Sequence, residues 1–284
     1  MNPQPKTKLD EVCSLVDHAG LKELKSFCSH SKKRLEVRRS LESLIYKNSD
    51  STLYSEACMG LGIIANYENK HQQALDYFKV AYSINPSGRA EVSNYAKALA
   101  TAGLIEQAID KFYEAFQLGY PSDMDNFNQL TRACLDFAYP EKLTKMLELD
   151  LRKMDPDSLN LLQIRASLCN NLVQFLNKNS IPTEIYRALR VKLETQIYSK
   201  ITLSTFMKSV CFHDIDRNTY SFVFRIGSVK PTDIAEINDE IENATLDWLY
   251  DHAAQSSHVE ARRMLGHLTF YCMPLDEVGN QNAS

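Results

Sequence analysis

The chain has 284 residues, room for one large domain or two ordinary ones with a sizeable core. Apolar residues make up 44% and charged residues 24%, with nine Gly and nine Pro, which excludes a disordered, collagen-like or loop-rich chain. Lys plus Arg number 32 against 36 Asp plus Glu, a net charge of −4, so there is no global electrostatic case for nucleic acid.

The first segments, LDEVCSLVDHAGLKELKSFCSH and KKRLEVRRSLESLIYKN, carry apolar residues at helical spacing, interrupted by Gly20 and Ser31. No apolar h-region precedes them and nowhere do 18 apolar residues run together, so neither a signal peptide nor a helical membrane span is expected. Lys32, Lys33, Arg34, Arg38 and Arg39 cluster on the second segment, but Glu36 interrupts them and no aromatic is interleaved for base stacking. A solvated helix face is expected there.

The next segments repeat. Shifting 55–88 onto 89–122, by 34 residues, places Ala74 on Ala108, Phe78 on Phe112 and Ala81 on Ala115. Small, aromatic and small residues at spacings of four and three share one helix face. Two antiparallel helices pack closely where Ala removes bulk, and Phe fills the gap to the next pair. A weaker third unit is expected from 123 to about 156, with Leu130, Ala133 and Leu135 on one helix and Leu143, Met146 and Leu147 on the next.

The segment 55–122 resembles two tetratricopeptide repeats. Leu61, Gly62, Ala74, Phe78, Ala81 and Pro86 fit the family's pattern in the first, and Tyr95, Ala96, Ala108, Phe112 and Ala115 in the second, with Gly103 in the inter-helix turn. Cys58 and Ala65 depart from the family's Trp and Tyr positions, and Pro121 arrives one residue late. The resemblance implies a solenoid whose first helices line a concave surface. Its candidate lining is Met59, Ile63, Asn66 and Tyr67, then Ser93, Asn94, Lys97, Ala100 and Thr101. One branch of the family grips a partner's C-terminal carboxylate with Lys, Asn and Arg side chains. Asn94 matches one clamp Asn, but Met59 and Ile63 stand where Lys and Asn are needed, and an apolar lining does not stabilise a carboxylate. The groove therefore favours a peptide or helix docking by burial, with Met59 adapting to varied shapes. Met59 and Ile63 serve equally well as core between neighbouring helices.

After Pro156 a long helix is expected, started by Asp157 or Ser158 and stopped around Asn177–Asn179. Thr183 caps a further helix through Lys200. TFMKSVCFHDI and TYSFVFRIG read as strands joined by Asp216-Arg217-Asn218, the second with Tyr220, Phe222, Phe224 and Ile226 on one face. Pro231 and Thr232 compete to open an acidic helix containing Trp248, a core residue by its spacing, and HLTFYCMPL reads as a third strand.

The fold class expected is therefore mainly α: a tetratricopeptide-like solenoid of antiparallel helix pairs over 8–180, then a small α+β domain over 181–275, with tails at 1–7 and 276–284. Seven Cys without a CxxC read as reduced thiols in helix interfaces, hence a cytoplasmic protein without disulfides. No phosphate loop, HExxH or GxSxG occurs. Cys211 and His213 share a strand face, with His252, His258, His267 and Cys272 later, but at no spacing of a metal module. The function expected is a non-enzymatic adaptor, chaperone or regulator holding another protein or peptide, with no cofactor, metal, membrane or nucleic acid. Alternatives of other classes are an enzyme with its site in the C-terminal domain and a peptide-sensing transcription regulator.

Overall fold

A computed structural model describes residues 31–47, 51–119, 123–148, 154–200, 207–226, 231–253 and 266–274. The first expected helix and both tails lie outside them. Among the described residues the order is α1 (Ser31–Lys47), α2 (Ser51–Tyr67), α3 (His71–Ile84), α4 (Arg89–Thr101), α5 (Ile105–Gly119), α6 (Met124–Asp136), α7 (Pro140–Leu147), α8 (Pro156–Lys178), α9 (Thr183–Lys200), β1 (Met207–Asp214), β2 (Thr219–Ile226), α10 (Pro231–Ala253) and β3 (Leu268–Pro274). The protein is mainly α, with stacked helix pairs followed by a small three-stranded sheet, an arrangement that fits a tetratricopeptide-like solenoid plus a small α+β part. The described residues up to Leu130 form one compact unit and those from Thr131 the other.

Turns of one kind set the helix pairs. The backbone N–H groups of Lys70, Leu104, Tyr139 and Ile181 each donate to the carbonyl five residues earlier, at 2.8–2.9 Å. This bond closes a helix only when the residue before the donor is left-handed. Those residues are Asn69 (φ 56°), Gly103 (78°), Ala138 (55°) and Ser180 (52°). Where the third unit is expected, α6 and α7 follow one another through the same turn, with Ala138 at the position that Gly103 holds in the second unit.

In the first unit α2 packs closely on α3 and α4 on α5, and α1 lies against α2. Ala74, Phe78, Ala81, Ala108, Phe112 and Ala115 are all buried, as their recurrence predicts. Gly62 admits the Phe78 ring: a Cβ there would lie 2.7 Å from Phe78 Cε1. Between pairs, Tyr82 stacks on Tyr95 at 5.3 Å, and its hydroxyl meets Lys111 Nζ at 2.6 Å. The basic cluster is not simply solvated. Arg34 and Arg38 reach Glu68 at 3.2 and 2.6 Å, tying α1 to the end of α2, because Glu68 offers both carboxylate oxygens to the face the two arginines share.

In the second unit β1 and β2 form an antiparallel hairpin from Met207↔Ile226 to Asp214↔Thr219. β3 adds to β2 in parallel, Tyr220↔Leu268 to Ile226↔Pro274. A parallel partner needs a crossover, and α10 lies between the two strands in sequence and packs on β3. Tyr220, Phe222, Phe224 and Ile226 are buried as expected, and so is Val223, which the alternation assigns to the other face. The core joins these to Leu172 and Phe175 of α8, Tyr186, Leu189 and Leu193 of α9, and Ile237 and Trp248 of α10, so it draws on residues either side of 180. Helix α8 begins at Pro156, earlier than the expected Asp157 or Ser158. Asp155 caps it, accepting from Ser158 N at 2.9 Å, and Pro156 takes a first position that has no N–H to satisfy.

Candidate protein-binding face and an apolar cleft

The expected lining is distributed over α2 and α4. Met59, Ile63 and Asn66 occupy one side of α2 at helical spacing, each half-buried. Asn66 carries a buried Oδ1 that has no hydrogen-bond partner among the described residues. Tyr67 ends the helix, and its side chain lies outside the described set.

The α4 residues are engaged within the fold. Ser93 is buried and its hydroxyl donates to Asn126 Oδ1 on α6 at 2.8 Å. Asn126 Nδ2 in turn donates to Asp123 Oδ2 at 2.6 Å, and Asp123 accepts from Asn126 N at 3.2 Å, so it caps α6. Lys97 Nζ pairs with Asp125 Oδ2 at 2.9 Å, with both side chains well exposed. Asn94 and Thr101 turn back on their own helix, to the carbonyls of Ala90 and Lys97 at 2.9 and 3.0 Å. The partners Asp123, Asp125 and Asn126 were not singled out from the sequence. Their signal is the acidic, amide-rich first turn of the weak third unit.

A second feature lies on another side of α2. Glu42, Ile45 and Tyr46 of α1, Tyr54, Cys58 and Leu61 of α2, and Tyr77 and Val80 of α3 line a cleft of about 210 Å³. Tyr54, Cys58 and Leu61 recur at helical spacing, which the sequence presents as core. Cys58 is buried in this apolar wall, which pushes its thiol up to about 11 and keeps it protonated at neutral pH.

Three of the Cys and His residues named in the C-terminal part are held by contacts within the fold. His213 stacks on Tyr220 and meets the edge of Phe175, at 5.2 Å in each case. His267 Nδ1 lies 3.0 Å from the Asn218 carbonyl. Cys272 is buried, with its backbone N–H and carbonyl both bound by the Asn238 side chain. The side chains of Cys211 and His252, and all of His258, lie outside the described residues. Among the described residues no group of three or more His, Cys, Asp and Glu could hold a metal ion. No described helix is long and apolar enough to cross a membrane.

No family model matches the chain, and no curated protein matches it. Among solved structures it is similar to a Thermobaculum terrenum O-GlcNAc transferase mutant, at 18% identity over 50% of this chain and 26% of that one, with a TM-score of 0.35. The match spans about a quarter of that chain's length.

Proposed function

We propose that this protein is a binding scaffold, an adaptor or chaperone whose α2–α4–α6 side receives a segment of another polypeptide. The observation that supports it most is the contrast along that side. Ser93, Asn126, Asp123, Lys97 and Asp125 hold α4 to α6 through hydrogen bonds and an ion pair, while Met59 and Ile63 stay half-open and Asn66 keeps a buried oxygen unmet. A surface set in advance loses little conformational entropy on binding, and an adaptable methionine beside an isoleucine suits a peptide or helix that docks by burial. Four buried free thiols, Cys58, Cys134, Cys169 and Cys272, support a reducing, cytoplasmic setting.

The test is partner capture from the native host, with bound material quantified by mass spectrometry. Met59→Glu places a charge in the apolar stretch and is expected to cut capture at least about tenfold, a loss of about 1.4 kcal/mol, with circular dichroism unchanged. Lys97→Glu is expected to weaken capture as well. Lys97→Glu with Asp125→Lys restores the internal pair and, if Lys97 meets the partner directly, leaves capture weak. Normal capture by both Met59→Glu and Lys97→Glu overturns this placement.

A further inference from the structure

The cleft between α1, α2 and α3 has a composition that its packing role does not require. Three of its eight lining residues are tyrosines, and its one charged group is Glu42. No Lys, Arg or His among the described residues lies within ion-pair distance of the Glu42 carboxylate, although Arg38 stands one helical turn away. Arg38 is committed to Glu68 at 2.6 Å instead. Tyr46, at the edge of the cleft, is 93% exposed. Burial pushes the Tyr77 hydroxyl up and the Glu42 charge pushes it further, against an opposing push from Arg38, so the carboxylate, the ring and that guanidinium lie within electrostatic reach of one another.

An apolar cleft that carries three tyrosines and one carboxylate with no ion-pair partner among the described residues is complementary to a cation on an aliphatic stem. Ring faces attract ammonium groups, by roughly 0.5–1 kcal/mol at exposed sites and about 2 when desolvated. Cys58 and Leu61 offer the stem an apolar wall, and the protonated thiol contributes no competing charge. We propose that this cleft is a binding site for the lysine side chain of a partner polypeptide, its methylenes against Cys58, Leu61 and Val80 and its ammonium between the tyrosine rings and the Glu42 carboxylate. A polypeptide, rather than a small free cation, suits the site because a chain passing over its edge can also cover the exposed Tyr46 ring. The site is independent of the α2–α4–α6 side, since Tyr54, Cys58 and Leu61 lie on a different face of α2 from Met59 and Ile63.

The experiment titrates the full chain with a short peptide carrying one Lys between valines, followed by NMR shifts of methyl-labelled Ile45, Leu61 and Val80. Three comparison ligands are used: the same peptide with acetyl-lysine, the same with norleucine, and choline. The lysine peptide is expected to shift the cleft methyls saturably, with affinity falling at least tenfold on acetylation or norleucine replacement. Glu42→Gln, a change at a half-buried helix position, is expected to remove the same discrimination while Met59→Glu and Lys97→Glu leave it intact. Tyr77→Phe, which keeps the ring, is expected to retain binding. Equal binding of the acetyl-lysine peptide, an unchanged titration in Glu42→Gln, or no saturable shift would each overturn the site. Choline binding as tightly as the lysine peptide, with the same dependence on Glu42, would overturn the assignment to a polypeptide.

Discussion

Glu68, just past the end of α2, gathers Arg34 at 3.2 Å, Arg38 at 2.6 Å and Lys70 at 2.9 Å. Burial on its own would raise this carboxyl. The Lys70 hydrogen bond and the charges of Arg38, Lys70 and Arg34 outweigh it, and the group sits below its ordinary value. A carboxyl lowered in the folded state contributes stability above its unfolded pKa, near 4.3, and loses it as pH falls through the lowered folded value. Glu68→Gln is therefore expected to lower the melting temperature at pH 7, by an amount equivalent to about 1 kcal/mol for a partly exposed network. The gap between the two proteins should begin to narrow as pH falls through about 4.3 and should close once pH lies below the lowered folded value. A difference that does not narrow at all with falling pH would assign the effect to packing rather than charge. The arginine pair at spacing four was visible in the sequence. Its partner was not, because Glu68 lies thirty residues on from Arg38 and only the α1–α2 packing brings them together.

The inter-helix turn is the unit that repeats at the scale of elements. Asn69, Gly103, Ala138 and Ser180 hold the same left-handed position, yet only one is glycine. An L-residue with a Cβ costs roughly 1–2 kcal/mol in that region, somewhat less for Asn, whose short polar side chain tolerates it. Gly103→Ala is expected to destabilise by about 1–2 kcal/mol. Ser180→Gly, at an exposed site, is expected to stabilise by about 0.5–1 kcal/mol, the relieved strain less the extra chain entropy of glycine. Urea midpoints at constant m value check both, and a stabilised Gly103→Ala would refute the common turn. This explains what was legible. The Ala and Phe recurrence located the first two pairs because close packing dictates those side-chain sizes. The third pair, lacking them and turning on Ala138, offered only weak periodicity, since its regularity lies in backbone hydrogen bonds that any side chain permits.

Across the molecule, the two compact units differ in what fills them. The first is closed by small residues and phenylalanines at fixed intervals. The second encloses a cation: Arg190 of α9 is 0% exposed, 2.8 Å from Glu194 and 3.7 Å from Asp136. Its guanidinium carbon also lies 4.5 Å from the Phe224 ring centroid and 5.1 Å from that of Phe222. Burial works against this charge, and the two carboxylates outweigh it and hold the guanidinium protonated. Arg190→Ala is expected to cost about 3–5 kcal/mol by leaving the Glu194 carboxylate without its partner beside Asp136, which keeps Arg132 at 3.5 Å. Arg190→Met with Glu194→Leu, which removes both charges, should cost less, and calorimetry on the pair decides. If the single and double variants are equally unstable, the loss is one of packing. Nothing in the spacing of Arg190 marked it, because an Arg four residues before a Glu is as common on a wet helix face. The tyrosine cleft was hidden for a related reason: periodicity sorts a residue as inward or outward but does not tell a filled interface from one with a gap. The candidate lining residues were nameable only through a family resemblance, and the engagement of Ser93 and Lys97 with α6 needed coordinates.

The parallel pairing of β3 with β2 has a bearing on how the chain acquires its structure during synthesis. The β1–β2 hairpin can zip up as soon as it emerges from the ribosome, but its β2 edge, in the strand that carries Phe222 and Phe224, stays open until α10 and then β3 have been translated. Over that interval the nascent protein offers neighbouring chains a sticky border, and any slowing of translation through α10 lengthens the exposure.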